Sequence, residues 1–168
     1  MAHDSQSPTP THNSAFAPED LSKATVLLVD DNEQNLELLQ AYLEELNCPI
    51  RAARDGDEAL AMMAAEPPDI VLLDVMMPRM SGFQACRQMK QDPRLKDIPV
   101  VMVTALNEVG DVERAVECGA DDFLTKPVSK IELLTRVRSL IRVRRMKLEL
   151  DRTLAAIKRL TGTGDGPA

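Results

Sequence analysis

Three short runs almost free of polar residues limit what this chain can fold into: TVLLV at 25–29, IVLLD at 70–74 and PVVMVT at 99–104. None alternates polar with apolar, so none reads as a strand with one wet face. Continuous apolar runs of this length suit strands buried on both sides, in a parallel sheet covered by helices. A weaker strand is PIRAA at 49–53, and a short one is DDFLT at 121–125.

Helical spacing fills the gaps. Leu36, Leu39, Leu43 and Leu46 follow Asn32, and Ala59, Leu60, Met62 and Met63 follow the turn at Asp55-Gly56. Phe83, Cys86, Met89 and Lys90 follow Ser81-Gly82, and Val112, Ala115 and Val116 run to a stop at Gly119. Ile131, Leu134, Val137 and Ile141 begin after Pro127 and Ser129. Starts and stops fall at capping residues. Five strand–helix units in a row, joined by right-handed crossovers, give a doubly wound α/β sheet with helices on both faces. The Ser-, Thr- and Pro-rich stretch 1–23 reads as a disordered tail, 24–145 as the domain, 146–160 as a helical extension and 161–168 as a second frayed end.

Composition removes several functions. Aromatic residues make up 2% of the chain, too few for a base-stacking surface. Lys and Arg number 20 against 27 Asp and Glu, so a chain-wide basic footprint for nucleic acid is missing. Cys48, Cys86 and Cys118 are odd in number and lack zinc-ligand spacing, which suits a reducing cytoplasm. His3 and His12, both in the tail, are too few and too far apart to hold a metal. No run reaches the roughly 18 apolar residues of a membrane span, and no signal peptide is evident.

Ligands of doubly wound sheets sit outside the carboxyl ends of the strands. There the first strand ends in Asp30-Asp31, the third in Asp74, the fourth in Thr104-Ala105 and the fifth in Lys126-Pro127. Taken singly, each has a plain structural reading: a helix cap, a turn, a β-branched strand residue, a solvated lysine. Together they place three carboxylates, a hydroxyl and an ammonium at one sheet edge. Two unit charges 4 Å apart repel by about 4 kcal/mol at an effective dielectric near 20. A raised pKa or a bound hard cation relieves that repulsion, and Mg2+ prefers such oxygen ligands. Metal, cation, hydroxyl and carboxylate nucleophile form the kit for phosphoryl chemistry.

VLLVDDNEQN, IVLLDVMMPRMSGFQ, VVMVTAL and GADDFLTKPV, taken in order, resemble the response-regulator receiver domain over about residues 24–145. The resemblance implies a five-stranded, flavodoxin-like sheet in the order 2-1-3-4-5. It makes Asp74 the phosphoacceptor and Mg2+ the cofactor, ligated by Asp31, Asp74 and the backbone carbonyl of Met76, with Asp30 acting through water. Thr104 and Lys126 would contact the phosphoryl group from two sides, and a cis peptide would precede Pro127. A histidine kinase or phosphotransfer protein would donate the phosphoryl group. Thr104 would then move toward the new oxygens and Phe123 would swing inward, a two-state switch read out on the face of the fourth helix, fifth strand and fifth helix. Met76 and Leu106 would border the path of the hydrolytic water and slow autodephosphorylation, or else merely pad the loop.

On this reading the chain is a switch, with at most self-phosphorylation and autodephosphorylation as activity. An aspartyl-phosphate phosphatase of the haloacid-dehalogenase type needs a second Asp two residues after the nucleophile, and Met76 holds that place. A DNA-binding transcription factor is the less expected reading, because its further domain would need room after residue 160. An excerpt of a longer effector, with a cyclase or kinase after the last helix, stays open.

The helical pattern continues past the fifth helix. Val143, Met146, Leu150, Thr153, Ile157 and Leu160 alternate spacings of 3 and 4, an a/d seam of about two and a half heptads. The helix would extend about 30 residues, roughly 45 Å. It reads as a dimer coiled coil or signalling helix, or as an amphipathic tail folded on its own domain. Between Glu132 and Glu149 every charged residue is basic (Arg136, Arg138, Arg142, Arg144, Arg145 and Lys147). This block would pair with acids of a dimer mate or of the same domain, and nucleic acid is the less favoured partner.

Overall fold

A computed structural model of the chain describes residues 20–105 and 109–162. Five strands form one parallel sheet: β1 (Val26–Val29), β2 (Ile50–Ala53), β3 (Ile70–Asp74), β4 (Val100–Thr104) and β5 (Asp122–Thr125), in the order β2-β1-β3-β4-β5. Every residue of β1, β3 and β4 is buried. The three apolar runs are therefore the three central strands, and the two weaker segments are the edges.

Five helices cover the sheet: α1 (Glu33–Leu43), α2 (Gly56–Ala65), α3 (Gly82–Gln91), α4 (Val109–Glu117) and α5 (Lys130–Leu160). Their starts are chemically specified. The Asn32 side chain accepts from the amides of Gln34 and Asn35, and Asp55 accepts from Glu58. Ser81 and Gln84 form a reciprocal capping box, and Ser129 accepts from Glu132. α1 ends in a short 3-10 turn (Glu44–Leu46) that buries Leu46.

The strands send alternate side chains to opposite faces. Leu27, Val29, Val71, Leu73 and Met102 pack with Ala59, Met63, Cys86, Met89 and Cys118 beneath α2, α3 and the end of α4. Val26, Leu28, Ile70, Leu72 and Val101 pack with Leu36, Leu39 and Leu43 of α1 and Leu133, Val137 and Ile141 of α5. Lys90, which the spacing places on the buried face of α3, lays its stem there. Its amine bonds the carbonyls of Lys96 and Ile98 and the carboxylate of Asp121.

Three local expectations need correction. Ile131 is 79% exposed, and Leu133 takes the buried position at the start of α5. Leu21 is buried against the second core although it falls in the stretch read as tail, and the Asp20 carbonyl accepts from Arg145. Thr153 is not on an apolar seam: its hydroxyl bonds back to the Glu149 carbonyl, and Leu154 carries the stripe instead. His3 and His12 lie outside the described residues.

Several members of the basic block pair within the chain. Arg136 binds Asp122 and Glu132, Arg138 binds Glu45, Arg144 binds Asp69, and Lys147 binds Asp97. Among the described residues, no helix is long and apolar enough to cross a membrane.

Candidate functional site

The parallel register brings the carboxyl ends of β1, β3, β4 and β5 to one edge, and the polar residues expected there converge. Asp30 follows β1, Asp74 ends β3, Thr104 ends β4 and Lys126 follows β5. Asp30, Asp74 and Thr104 are buried, at 2%, 5% and 6% exposure, while Asp31 faces solvent. One carboxylate oxygen from each of Asp30, Asp31 and Asp74 lies within 4.8 Å of the other two. Lys126 Nζ donates to Asp30 Oδ2 and to Asp74 Oδ1, each at 3.1 Å. The backbone holds this lysine in place, because its amide donates to the Thr104 carbonyl at 2.8 Å. The Lys126–Pro127 peptide is cis.

Burial pushes the Asp74 carboxyl above the ordinary carboxylate range. Repulsion from Asp30 and Asp31 adds to this, and the Lys126 ammonium offsets only part of it. For Lys126, burial works against the charge, but attraction to Asp74 and Asp30 outweighs it and holds the ammonium above the usual lysine value. The site is thus a partly compensated negative cluster. An all-oxygen donor set around unrelieved negative charge fits a hard divalent cation.

Met76 is 63% exposed in the loop after β3. Phe123, on the edge strand β5, is 39% exposed. Leu106 lies outside the described residues.

Three contributors were not read from the sequence. Asn35 Nδ2 donates to Asp30 Oδ2 at 3.0 Å, and the Asn32 amide donates to Asp30 Oδ1 at 2.8 Å, so the start of α1 anchors Asp30. Gly82 packs so tightly under β3 that a Cβ there would sit 2.1 Å from the Asp74 carbonyl oxygen. Its amide also donates to the Val75 carbonyl. Arg79, in the left-handed region at φ 67, reaches Asp55 at 2.7 Å and ties the β3–α3 loop to the start of α2. The signal for Asn35 was present: a polar residue one turn after the Asp-Asp pair, on the helix face next to Leu36 and Leu39.

The comparisons with known proteins agree with this geometry. The family model described as "Response regulator receiver domain" matches residues 26–138. The response regulator PleD of Caulobacter vibrioides is 48% identical over 137 residues, covering 82% of this chain and 30% of the relative. The alkaline phosphatase synthesis transcriptional regulatory protein PhoP of Bacillus subtilis is 40% identical over 117 residues, 70% of this chain and 48% of the relative. The chain therefore spans half or less of the length of these two relatives. Among solved structures, a response regulator described as putative, from Chloroflexus aurantiacus, superposes with a TM-score of 0.69 at 32% identity, over 71% of this chain and 98% of that one. The receiver domain of a signal transduction histidine kinase from Syntrophus aciditrophicus gives 0.67 at 39% identity, over 71% and 90%. With the expected sheet order, the acidic cluster and the family match in agreement, the chain belongs to the response-regulator receiver domain family.

Proposed function

We propose that Asp74 is a phosphoacceptor that takes its phosphoryl group from a phosphohistidine on a histidine kinase or phosphotransfer protein. The observation that carries this reading is the buried Asp74 carboxylate, set between two other acids on one side and the Lys126 ammonium on the other. A carboxylate held this way is oriented, and burial strips it of much of its hydration. An oxygen of Asp74 forms the new P–O bond as the P–N bond to the donor imidazole breaks. The imidazole keeps the electron pair and takes up a proton. Lys126, already within hydrogen-bond reach of Asp74, neutralises charge on the transferring oxygens, and the Thr104 hydroxyl faces them from β4.

Asp31, Asp74 and the Met76 carbonyl would hold Mg2+, with Asp30 acting through water. The ion, when bound, supplies charge neutralisation for the phosphoryl oxygens. Asp30 keeps its orientation through Asn32 and Asn35.

The product carries roughly −1.5 to −2 charges where the free carboxylate carried −1. Lys126 then has a stronger partner than either aspartate. A shift of Thr104 toward the phosphoryl group opens room for Phe123, and the α4–β5–α5 face reports the change. Val116, Phe123 and Ile131 are exposed apolar residues on those three elements, as expected of a surface that another protein covers. The three free cysteines accord with a reducing, cytoplasmic setting.

The test is intact mass after incubation with a small acyl phosphate and Mg2+. The wild-type chain gains one phosphate. Asp74→Asn gains none, and chelating the metal abolishes the gain. An Asp74→Asn chain that is phosphorylated like the wild type overturns the assignment.

A further inference from the structure

α5 outgrows its domain. Its buried residues end at Ile141, and residues 149–160 are all exposed. A free helix of about a dozen residues is marginal in water unless an apolar face is covered. This one has such a face. Val143, Met146, Leu150, Leu154 and Ile157 are 56%, 57%, 57%, 47% and 49% exposed. At 100° per residue they lie within about 40° of a single line. On the same reckoning that line is about opposite Val137 and Ile141, which anchor the helix to its domain. Val143, at the root of the stripe, borders a pocket shared with Pro99 and Leu140 of its own domain, and from Met146 onward the stripe points away from the described body of its own chain.

The spacing in the stripe is 3, 4, 4, 3, so Val143 and Leu154, and likewise Met146 and Ile157, are eleven residues apart. An eleven-residue period, about 3.67 residues per turn, calls for only a slight right-handed winding of the pair, where a heptad would force a left-handed supercoil. The same spacing reads identically from either end, with Leu150 at its centre. A second copy of the stripe therefore matches it rung for rung, with Leu150 against Leu150, whichever way the partner helix runs. An aliphatic side chain of this size buries about 60–120 Å². Five from each of two helices reach the order of 1,000 Å² that a specific interface needs.

We propose that the outward stripe of α5 is a homodimer contact, in which Val143, Met146, Leu150, Leu154 and Ile157 pack against the same residues of a second copy. The contact uses the helix alone and does not depend on phosphotransfer to Asp74. A chain that fails to accept phosphate but still pairs would keep this inference and lose the other.

The experiment uses the full chain in a Cys48→Ser background, with Cys86 and Cys118 left buried. Leu150→Cys is expected to form a disulfide-linked dimer on mild oxidation, while Arg152→Cys, on the opposite face, stays monomeric on a non-reducing gel. Sedimentation gives a two-chain mass for the unsubstituted protein and a one-chain mass for Leu150→Glu/Leu154→Glu, whose domain still melts cooperatively. Equal cross-linking at 150 and 152, or a one-chain mass for the unsubstituted protein at its highest soluble concentration, overturns the proposal.

Discussion

Lys126 Nζ stands 3.1 Å from Asp74 Oδ1, and the same nitrogen holds Asp30 at an equal distance. One ammonium thus offsets two buried carboxylates, and its removal leaves them facing each other uncompensated. Lys126→Ala is expected to lower folding stability by about 1–3 kcal/mol. It also leaves a more negative cluster, so Mg2+ should restore more stability in this variant than in the wild type. Urea denaturation with and without Mg2+ measures both effects. Phosphate incorporation in the variant should fall sharply.

Asp74 carries a pH signature. Its carboxyl, raised by burial above the ordinary value of 3.8, binds more protons folded than unfolded. Its contribution to stability is fully present below that ordinary value and is lost as pH rises through the folded one. At neutral pH the ionised group is therefore a net cost. Asp74→Asn should melt a few degrees higher than the wild type at pH 7 without Mg2+, and the gap should close as pH falls toward 4. Thermal melts across pH, monitored by circular dichroism, provide the check. A gap that widens in acid would contradict the assigned direction.

Gly82 and Gly110 make a matched pair. A methyl group at Gly82 would press into the Asp74 carbonyl, and backbone cannot yield as a side chain can. Gly82→Ala should cost about 3 kcal/mol or more and disturb the acidic site around Asp74. At Gly110, in α4, an added Cβ meets nothing within 4 Å. Gly110→Ala should be neutral or stabilising by about 0.5 kcal/mol, because alanine loses less chain freedom in a helix. Denaturant midpoints for the two variants separate steric from conformational effects.

Met76 presents an exposed thioether two residues after Asp74, the proposed acceptor. Replacing it with asparagine puts a hydrogen-bonding group where an attacking water would pass. Met76→Asn should shorten the lifetime of the phosphorylated protein several-fold, timed by loss of the phosphate mass increment. An unchanged lifetime would leave Met76 as loop padding.

Much of the fold was legible because a parallel strand buried on both faces must be apolar throughout, and that demand appears in the letters of β1, β3 and β4. The acids and the hydroxyl were legible for the same reason, since they stand where the apolar runs of β1, β3 and β4 stop, while Lys126 follows the shorter, mixed edge strand β5. What escaped depends on helix phase and on distances across the chain. Ile131 and Leu133 are both good apolar candidates at the start of α5, and the angle at which the helix meets the sheet selects Leu133. Thr153 and Leu154 pose the same ambiguity further on, where a 3–4 count admits either residue. Gly82 is required by a carbonyl eight residues earlier in the chain, a contact with no sequence periodicity to announce it. Arg79 in the left-handed region gives no local warning either, since glycine or asparagine would be the usual occupant.

α5 is continuous from Lys130, four residues after the lysine that grips Asp74, to Leu160. Beyond Ile141 it extends roughly 28 Å at 1.5 Å per residue. A tilt of about 5° where it leaves the sheet would sweep the far end by roughly 2.5 Å over that length. The long rod would therefore serve as a pointer, turning a small tilt at its root into a displacement wide enough to re-seat a side chain at its tip.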